Sequence, residues 1–338
     1  MLDIADALII GGGPAGLGVA LALCRQNHSI IIFDSGDYRN KYGEMHMVST
    51  WDHRLPEEFR TAARAELVER YSGQCTFVHQ EVLSISRVEE NANVPGSERT
   101  PSKSGPFKAI DSSETVWHGR KVVLATGSRD LLPSIDGFDE CWGKGVAHCL
   151  LCHGHEERGA ESIGILALDE FAVPSTLMRV LRSCRQFTSR VRVYTHGNTR
   201  AAAELREAMT MVSGCDIEPD FIERLEMTAT DNGKSTPGVR VVLEEAAPQQ
   251  HSLVVYHPGT EQASDLPEQL GVKLTPDGDI MIGDWQETSQ PGVFATGDCA
   301  SRHKYFASAS AMGHLTGASV AQQLQADVKY MISHHESG

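Results

Sequence analysis

Residues 5–36 read ADALIIGGGPAGLGVALALCRQNHSIIIFDSG, and this stretch decides the fold. Ala7 to Ile10 form a short apolar run of the kind a buried parallel strand carries. Gly11, Gly13 and Gly16 then spell a GxGxxG turn, Pro14 to about Gln26 predict a helix, and Ser29 to Phe33 predict a second strand ending at Asp34. Gly11 permits the tight turn, Gly13 lets the backbone approach a pyrophosphate, and Gly16 lets helix and strand pack closely. Pro14 and Ala15 open the helix, whose N-terminal amides face the phosphates. Asp34 stands where an acid accepts from an adenosine ribose hydroxyl. GxGxxG alone is weak evidence, but here the strand, the helix and the acid are all in place.

The 338 residues suffice for two domains with a sizeable core. Thirty basic against forty-five acidic residues give a formal net charge of -15, which argues against a general nucleic-acid partner because phosphates would be repelled. The opening MLDIADALIIGGG has no basic region before its apolar run, so it reads as a strand rather than a signal peptide. No run reaches the roughly 18 apolar residues of a membrane span. Cysteines at 24, 75, 141, 184, 215 and 299 are isolated, which suits free thiols in a reducing compartment, the cytoplasm. Only Cys149 and Cys152 form a close pair.

Beyond the first unit, residues 75–90 and 107–126 read as strand-rich around a polar loop, NANVPGSERTPSKSG, expected to be an exposed hairpin connection or partly disordered. Val122 to Ala125 predict a buried strand that delivers Thr126 and Gly127, and QPGVFATGDCA predicts another that delivers Asp298. The segment FASASAMGHLTGASVAQQLQADV, rich in small residues, predicts a helix packed tightly against a neighbour. Between the two ATG strands, ESIGILAL, STLMRVLRSCRQFT and SRVRVYTH predict a second βαβ unit. Its turn reads Ala167-Leu168-Asp169-Glu170-Phe171-Ala172, and no GxGxx(G/A) occurs in 156–200. Leu168 and Phe171 are expected to block backbone approach, and Asp169 and Glu170 to repel a pyrophosphate. His196 and Arg200 do not make the basic cluster that grips a 2′-phosphate. The expected fold is α/β with two Rossmann-like dinucleotide-binding domains, the second with a degraded nicotinamide-binding turn. Its expected boundaries are 1–133 and 253–338 for the first domain and 134–252 for the central one.

The order of GGGPAGL, ATG, a central CxxC, GVFATGDCA and a small-residue helix resembles the low-molecular-weight thioredoxin reductases over nearly the whole chain. Within that group, FDSGDYRN, HMVSTWDH, CLLCHGHEERG and LPEQLG are similar to the fungal FAD-dependent dithiol oxidases, the gliotoxin-type branch. The resemblance implies a homodimer that binds FAD, closes a disulfide in a small-molecule dithiol of the epidithiodioxopiperazine kind, and passes electrons to molecular oxygen, giving hydrogen peroxide without NADPH. It carries Gly11, Gly13, Gly16 and Asp34 onto the FAD pyrophosphate and ribose, Asp298 onto the ribityl chain, and Ala307 to Gly313 onto the isoalloxazine edge. Ala307-Ser308 stands where the reductases usually show Gln-Ala, and His153 where they carry an acid.

The stretch VAHCLLCHGHEE, 146–157, holds the chemistry. A zinc reading of Cys149, Cys152 and the flanking histidines needs about four ligands and finds no second CxxC, so no metal is expected there. Thiol–disulfide exchange is the favoured reading: a substrate thiolate attacks one sulfur of a resting disulfide, and its second thiolate closes the product ring. The resemblance makes Cys149 the outer sulfur and Cys152 the inner one. A free thiol has a pKa near 8.5, so a neutral histidine is the natural proton acceptor, His153 first and His148 second. A helix N-terminus is expected to favour either thiolate, and His155 is expected on the surface. The rival readings are an NADPH-dependent thioredoxin reductase, a ferredoxin-dependent reductase, and a flavin protein that only sequesters dithiols.

Overall fold

The computed structural model describes residues 4–88, 107–210, 212–229 and 238–335, with side chains described to residue 327. The polar loop NANVPGSERTPSKSG lies outside them. Two compact units divide the chain: 1–39, 57–129 and 261–338 form the first, and 40–56 with 130–260 form the second.

In the first unit, β1 (Ala5–Ile10), α1 (Pro14–Arg25) and β2 (Ile30–Phe33) follow the expected order. Both strands are almost wholly buried, as continuous apolar runs in a parallel sheet must be. Gly11 has φ +120, and a Cβ there would run into the Ala125 carbonyl, so only glycine makes this turn. Then come α2 (Pro56–Arg70), β3 (Cys75–Val78), β4 (Val82–Arg87), β5 (Phe107–Asp111) and β6 (Val116–Leu124). The sheet runs β3-β2-β1-β6-β5-β4, parallel from β3 to β6 and antiparallel beyond.

After β7 (Ser128–Leu131) the second unit contributes α3 (Phe138–Cys141), β8 (Val146–Ala147), α4 (Leu150–His153), β9 (Ile163–Leu166), α5 (Pro174–Cys184), β10 (Val191–Tyr194), α6 (Thr199–Ala208) and β11 (Cys215–Glu218). An antiparallel trio follows, β12 (Ile222–Met227), β13 (Val239–Leu243) and β14 (Gln249–His251), and then β15 (Leu253–Val255). The five-stranded sheet β11-β10-β9-β15-β8 is parallel throughout, the second Rossmann-like layer the sequence predicts.

That unit buries a polar relay. His251 takes a hydrogen bond from the Tyr194 hydroxyl at 2.6 Å through Nε2, while Nδ1 lies 2.9 Å from Ser162 Oγ. Ser162 donates onward to the Gln250 carbonyl, so Nδ1 carries the proton and the ring is neutral. Burial pushes the His251 pKa down to about 4, Arg192 adding to the effect. The unfolded chain therefore binds a proton near pH 6.5 that the folded one refuses until about pH 4. Stability from this group is complete above pH 6.5 and lost as pH falls toward 4, by up to roughly 3 kcal/mol. Urea unfolding from pH 7 to 4 should show that loss, and His251→Gln should flatten it; an unchanged slope in the variant would remove His251 as its cause.

The chain returns to the first unit through β16 (Gly259–Gln262), which pairs with β7, and α7 (Leu266–Gln269). β17 (Val293–Ala295) joins β6, and α8 (Phe306–His335) closes the chain. The neighbour expected for this small-residue helix is α1: a Cβ on Gly313 would overlap the Ala15 carbonyl, and one on Gly317 would press the Val19 backbone.

Candidate functional site

Cys149 and Cys152 are disulfide-bonded, with Cα atoms 5.3 Å apart. Cys149 caps α4, and the Cys152 amide donates to its Sγ at 3.1 Å. Both are half-buried, so exposure does not rank them, while Leu151 between them is 82 % exposed. The helix here is a single turn of four residues. Too few peptide dipoles align to give the thiolate-stabilising field expected from a helix N-terminus.

His153 closes that turn. Burial holds its pKa below the ordinary imidazole value, His46 pushes the same way, and Glu156 opposes them. A ring held neutral at pH 7 is a competent proton acceptor. His148 is half-buried, 5.9 Å from the Trp142 ring, and His155 is exposed as expected. His46 was not singled out by the sequence, yet its ring meets His153 edge-on with centroids 5.3 Å apart. It comes from the 40–56 segment, far from the CxxC in the chain.

In the first unit the GxGxxG turn runs from β1 straight into α1. A Cβ on Gly13 would meet nothing within 4 Å, leaving open space in front of that backbone, and Pro14 starts a twelve-residue helix directly behind it. Gly16 has no such room, because a Cβ there would overlap the Gly11 carbonyl. Asp34 is buried at the end of β2, and Arg60 grips it at 2.8 and 2.9 Å; Arg64 binds the same carboxylate. Arg60 also donates to the Gly12 carbonyl at 3.1 Å and lies 4.2 Å from the Tyr38 ring. Two guanidiniums therefore fix the Asp34 carboxylate, and neither was singled out from the sequence. Thr126 and Gly127 follow β6. Asp298 lies in the short 3-10 turn Gly297–Ala300, 3.5 Å from Arg39. Ala307 and Ser308 start α8, Ala307 exposed and Ser308 half-buried. Thr296, just before that turn, is fully buried with no partner for its hydroxyl among the described residues.

In the second unit the degraded turn borders a cavity of about 420 Å³, lined among others by Leu132, Leu168, Asp169, Thr195, His196 and Tyr256. Asp169 sits at φ +46, where glycine is at ease, and its carboxylate accepts from the Tyr256 hydroxyl at 2.8 Å. Burial and that carboxylate push the Tyr256 pKa up, so the hydroxyl stays a donor. Leu168 and Asp169 thus line that cavity, with the Asp169 carboxylate held on Tyr256. Phe171 does not block the turn as expected: it is buried in the apolar core instead. His196 stacks on Phe221 with ring centroids 4.1 Å apart and accepts from the Ile222 amide at 3.1 Å.

Among the described residues no helix is long and apolar enough to cross a membrane. Residues 5–163 and 198–323 match the pyridine nucleotide-disulphide oxidoreductase family. The interruption, 164–197, spans most of β9, the degraded turn, α5 and β10. The chain is 40% identical to a thioredoxin reductase of Gibberella zeae, across 96% of this chain and 99% of that one. It is 36% identical to the thioredoxin reductase aclD of Aspergillus oryzae, over 96% and 98%. The crystal structure of HlmI superposes with a TM-score of 0.79 at 26% identity, covering 100% of this chain and 98% of that one. A redox-closed CxxC in a chain with two Rossmann-like layers, a family match on both sides of the central turn and these fungal relatives agree: the chain belongs to the pyridine nucleotide-disulphide oxidoreductases, enzymes acting on sulfur groups.

Proposed function

We propose that the protein is an FAD-dependent dithiol oxidase, which closes a disulfide in a small-molecule dithiol of the epidithiodioxopiperazine kind with oxygen as the acceptor. The observation that carries this reading is the Leu168–Asp169 turn, whose carboxylate is committed to Tyr256 where a reductase needs a bare phosphate cradle. The Cys149–Cys152 pair accepts two electrons from the substrate as its S–S bond breaks, and His153 takes a thiol proton. FAD, when bound, relays the two electrons to oxygen, which leaves as hydrogen peroxide. The first unit's residues fit that cofactor: Gly13 and the α1 N-terminus would face its pyrophosphate, Asp34 its ribose, and Asp298 and the start of α8 the flavin half. The second reading is an NADPH-dependent thioredoxin reductase, favoured by the relatives' names.

Anaerobic mixing separates the two. Dithiothreitol should bleach the bound flavin and admitted air should restore its colour, while micromolar NADPH or NADH should bleach it poorly. Rapid bleaching by NADPH would hand the case to the reductase. Gly13→Ala should leave the fold intact, since nothing stands in the way of its methyl group, but expel much of the FAD. Gly16→Ala should cost the fold itself. Full flavin content in purified Gly13→Ala protein would show that no pyrophosphate approaches there.

A further inference from the structure

Near the dithiol pair, donor atoms of Glu44, His46 and His53 converge on one point, all within 4.8 Å of one another. His46 Nε2 and His53 Nδ1 lie 3.2 Å apart. Glu44 Oε2 stands 3.9 Å from each of those nitrogens. Glu156 Oε1 stands 3.8 Å from each. Atoms bound to one tetrahedral ion at about 2.0–2.1 Å are themselves roughly 3.3 Å apart. A carboxylate oxygen equidistant from two imidazole nitrogens is what three donors sharing a centre show, and Glu156 approaches the same two nitrogens from outside that group.

A hydrogen bond between the two rings accounts for the 3.2 Å contact alone. It leaves the carboxylates unexplained, and one of them has an unmet need. Glu156 is only 16% exposed, and its Oε2 is buried with no partner among the described residues. An ionised carboxylate in that setting requires positive charge nearby. Two neutral imidazoles and two carboxylates balance a dication. The His46 side chain is 8% exposed and already held in place, while Glu44 and His53, about half exposed, can close from the solvent side.

We propose that Glu44, His46 and His53 bind a divalent first-row cation, zinc foremost among them, with the Glu156 carboxylate beside the two imidazoles. Three nitrogen and oxygen donors with a water in the fourth position suit zinc, and no sulfur is needed. The site lies apart from the cysteines, where the sequence analysis considered and set aside a metal. Its ion would tie Glu44 and His53 to His46, whose ring meets that of His153, and so brace the ground on which His153 stands. The proposal is independent of the oxidase reading.

The test uses untagged full-length protein, flavin included, with the CxxC oxidised so that thiols cannot compete, and stripped of metal by chelator. Titration with cobalt(II) should give one equivalent and the intense visible absorption of a four-coordinate ion, which zinc then abolishes. His53→Ala and Glu44→Gln, both at exposed positions, should each weaken binding at least tenfold, since even outer-shell losses cost about 10–100-fold. The Cys149→Ser/Cys152→Ser double variant should bind as the wild type does. Absence of stoichiometric binding leaves a hydrogen-bonded imidazole pair only, and overturns the proposal. Binding unaltered in both exposed-residue variants, or lost in the cysteine variant, overturns it equally by placing the ion elsewhere.

Discussion

Serine at either Cys149 or Cys152 is expected to abolish dithiol-dependent oxygen uptake, by roughly 10³-fold or more, while the flavin stays bound. Both sulfurs take part in every exchange. The substrate thiolate attacks one and expels the other as a thiolate, and the second substrate thiolate then displaces the first enzyme sulfur to close the product. With one sulfur replaced there is no S–S bond to attack, so two electrons have nowhere to go. The double variant should be little worse than either single one, because the pair acts as a unit. Neither cysteine contributes to the buried apolar core, so the variants should fold. Oxygen uptake persisting in either single variant would sink the exchange mechanism.

His153→Ala is expected to slow dithiol oxidation by about 10²–10⁴-fold at neutral pH, the usual scale for a lost general base. Burial lowers the pKa of His153, so in the wild type the ring is free to accept a thiol proton at pH 7 and over a wider acid range than an exposed imidazole. Without it the substrate must ionise unaided, and the deficit should shrink as pH climbs toward the thiol pKa near 8.5. Profiles of kcat/KM from pH 6 to 9 for the wild type, His153→Ala and His148→Ala decide the assignment. A normal profile in His153→Ala with the deficit in His148→Ala would transfer the role to His148.

The first βαβ unit was readable because nearly everything it needs is local. A buried strand, a glycine turn and a helix succeed one another within about thirty residues, and Gly16 answers to Gly11 inside the motif, although Gly11 itself answers to Ala125 outside it. The central turn without glycines was readable for the same reason, although only the structure puts Phe171 in the core and leaves Leu168 and Asp169 at the cavity. What escaped is long-range. Arg60 and Arg64 reach Asp34 across 26 and 30 residues from a polar helix whose pattern speaks only of solvent. His46 and His53 bound the HMVSTWDH stretch that carries part of the family resemblance, but its irregular pattern has no periodicity to say that His46 meets a residue beside a cysteine pair a hundred residues later. The 40–56 segment falls inside the stretch 1–133 assigned to the first domain, but it belongs to the second compact unit. Polar convergence of this kind depends on how distant pieces pack, and pattern alone does not encode it.

Ala15, Ala125 and Ala309 form a small buried cluster of their own behind the phosphate turn, and Gly313 brings the α8 backbone onto the Ala15 carbonyl. Most helix contacts are cushioned, because a leucine or methionine can change rotamer when its neighbour shifts. This one has no rotamers to change. Backbone rests on backbone, and the joint behaves as a rigid hinge pin without a spring. A shift of α8 at Gly313 therefore reaches Ala15 and the glycine turn with no side chain between them to absorb it.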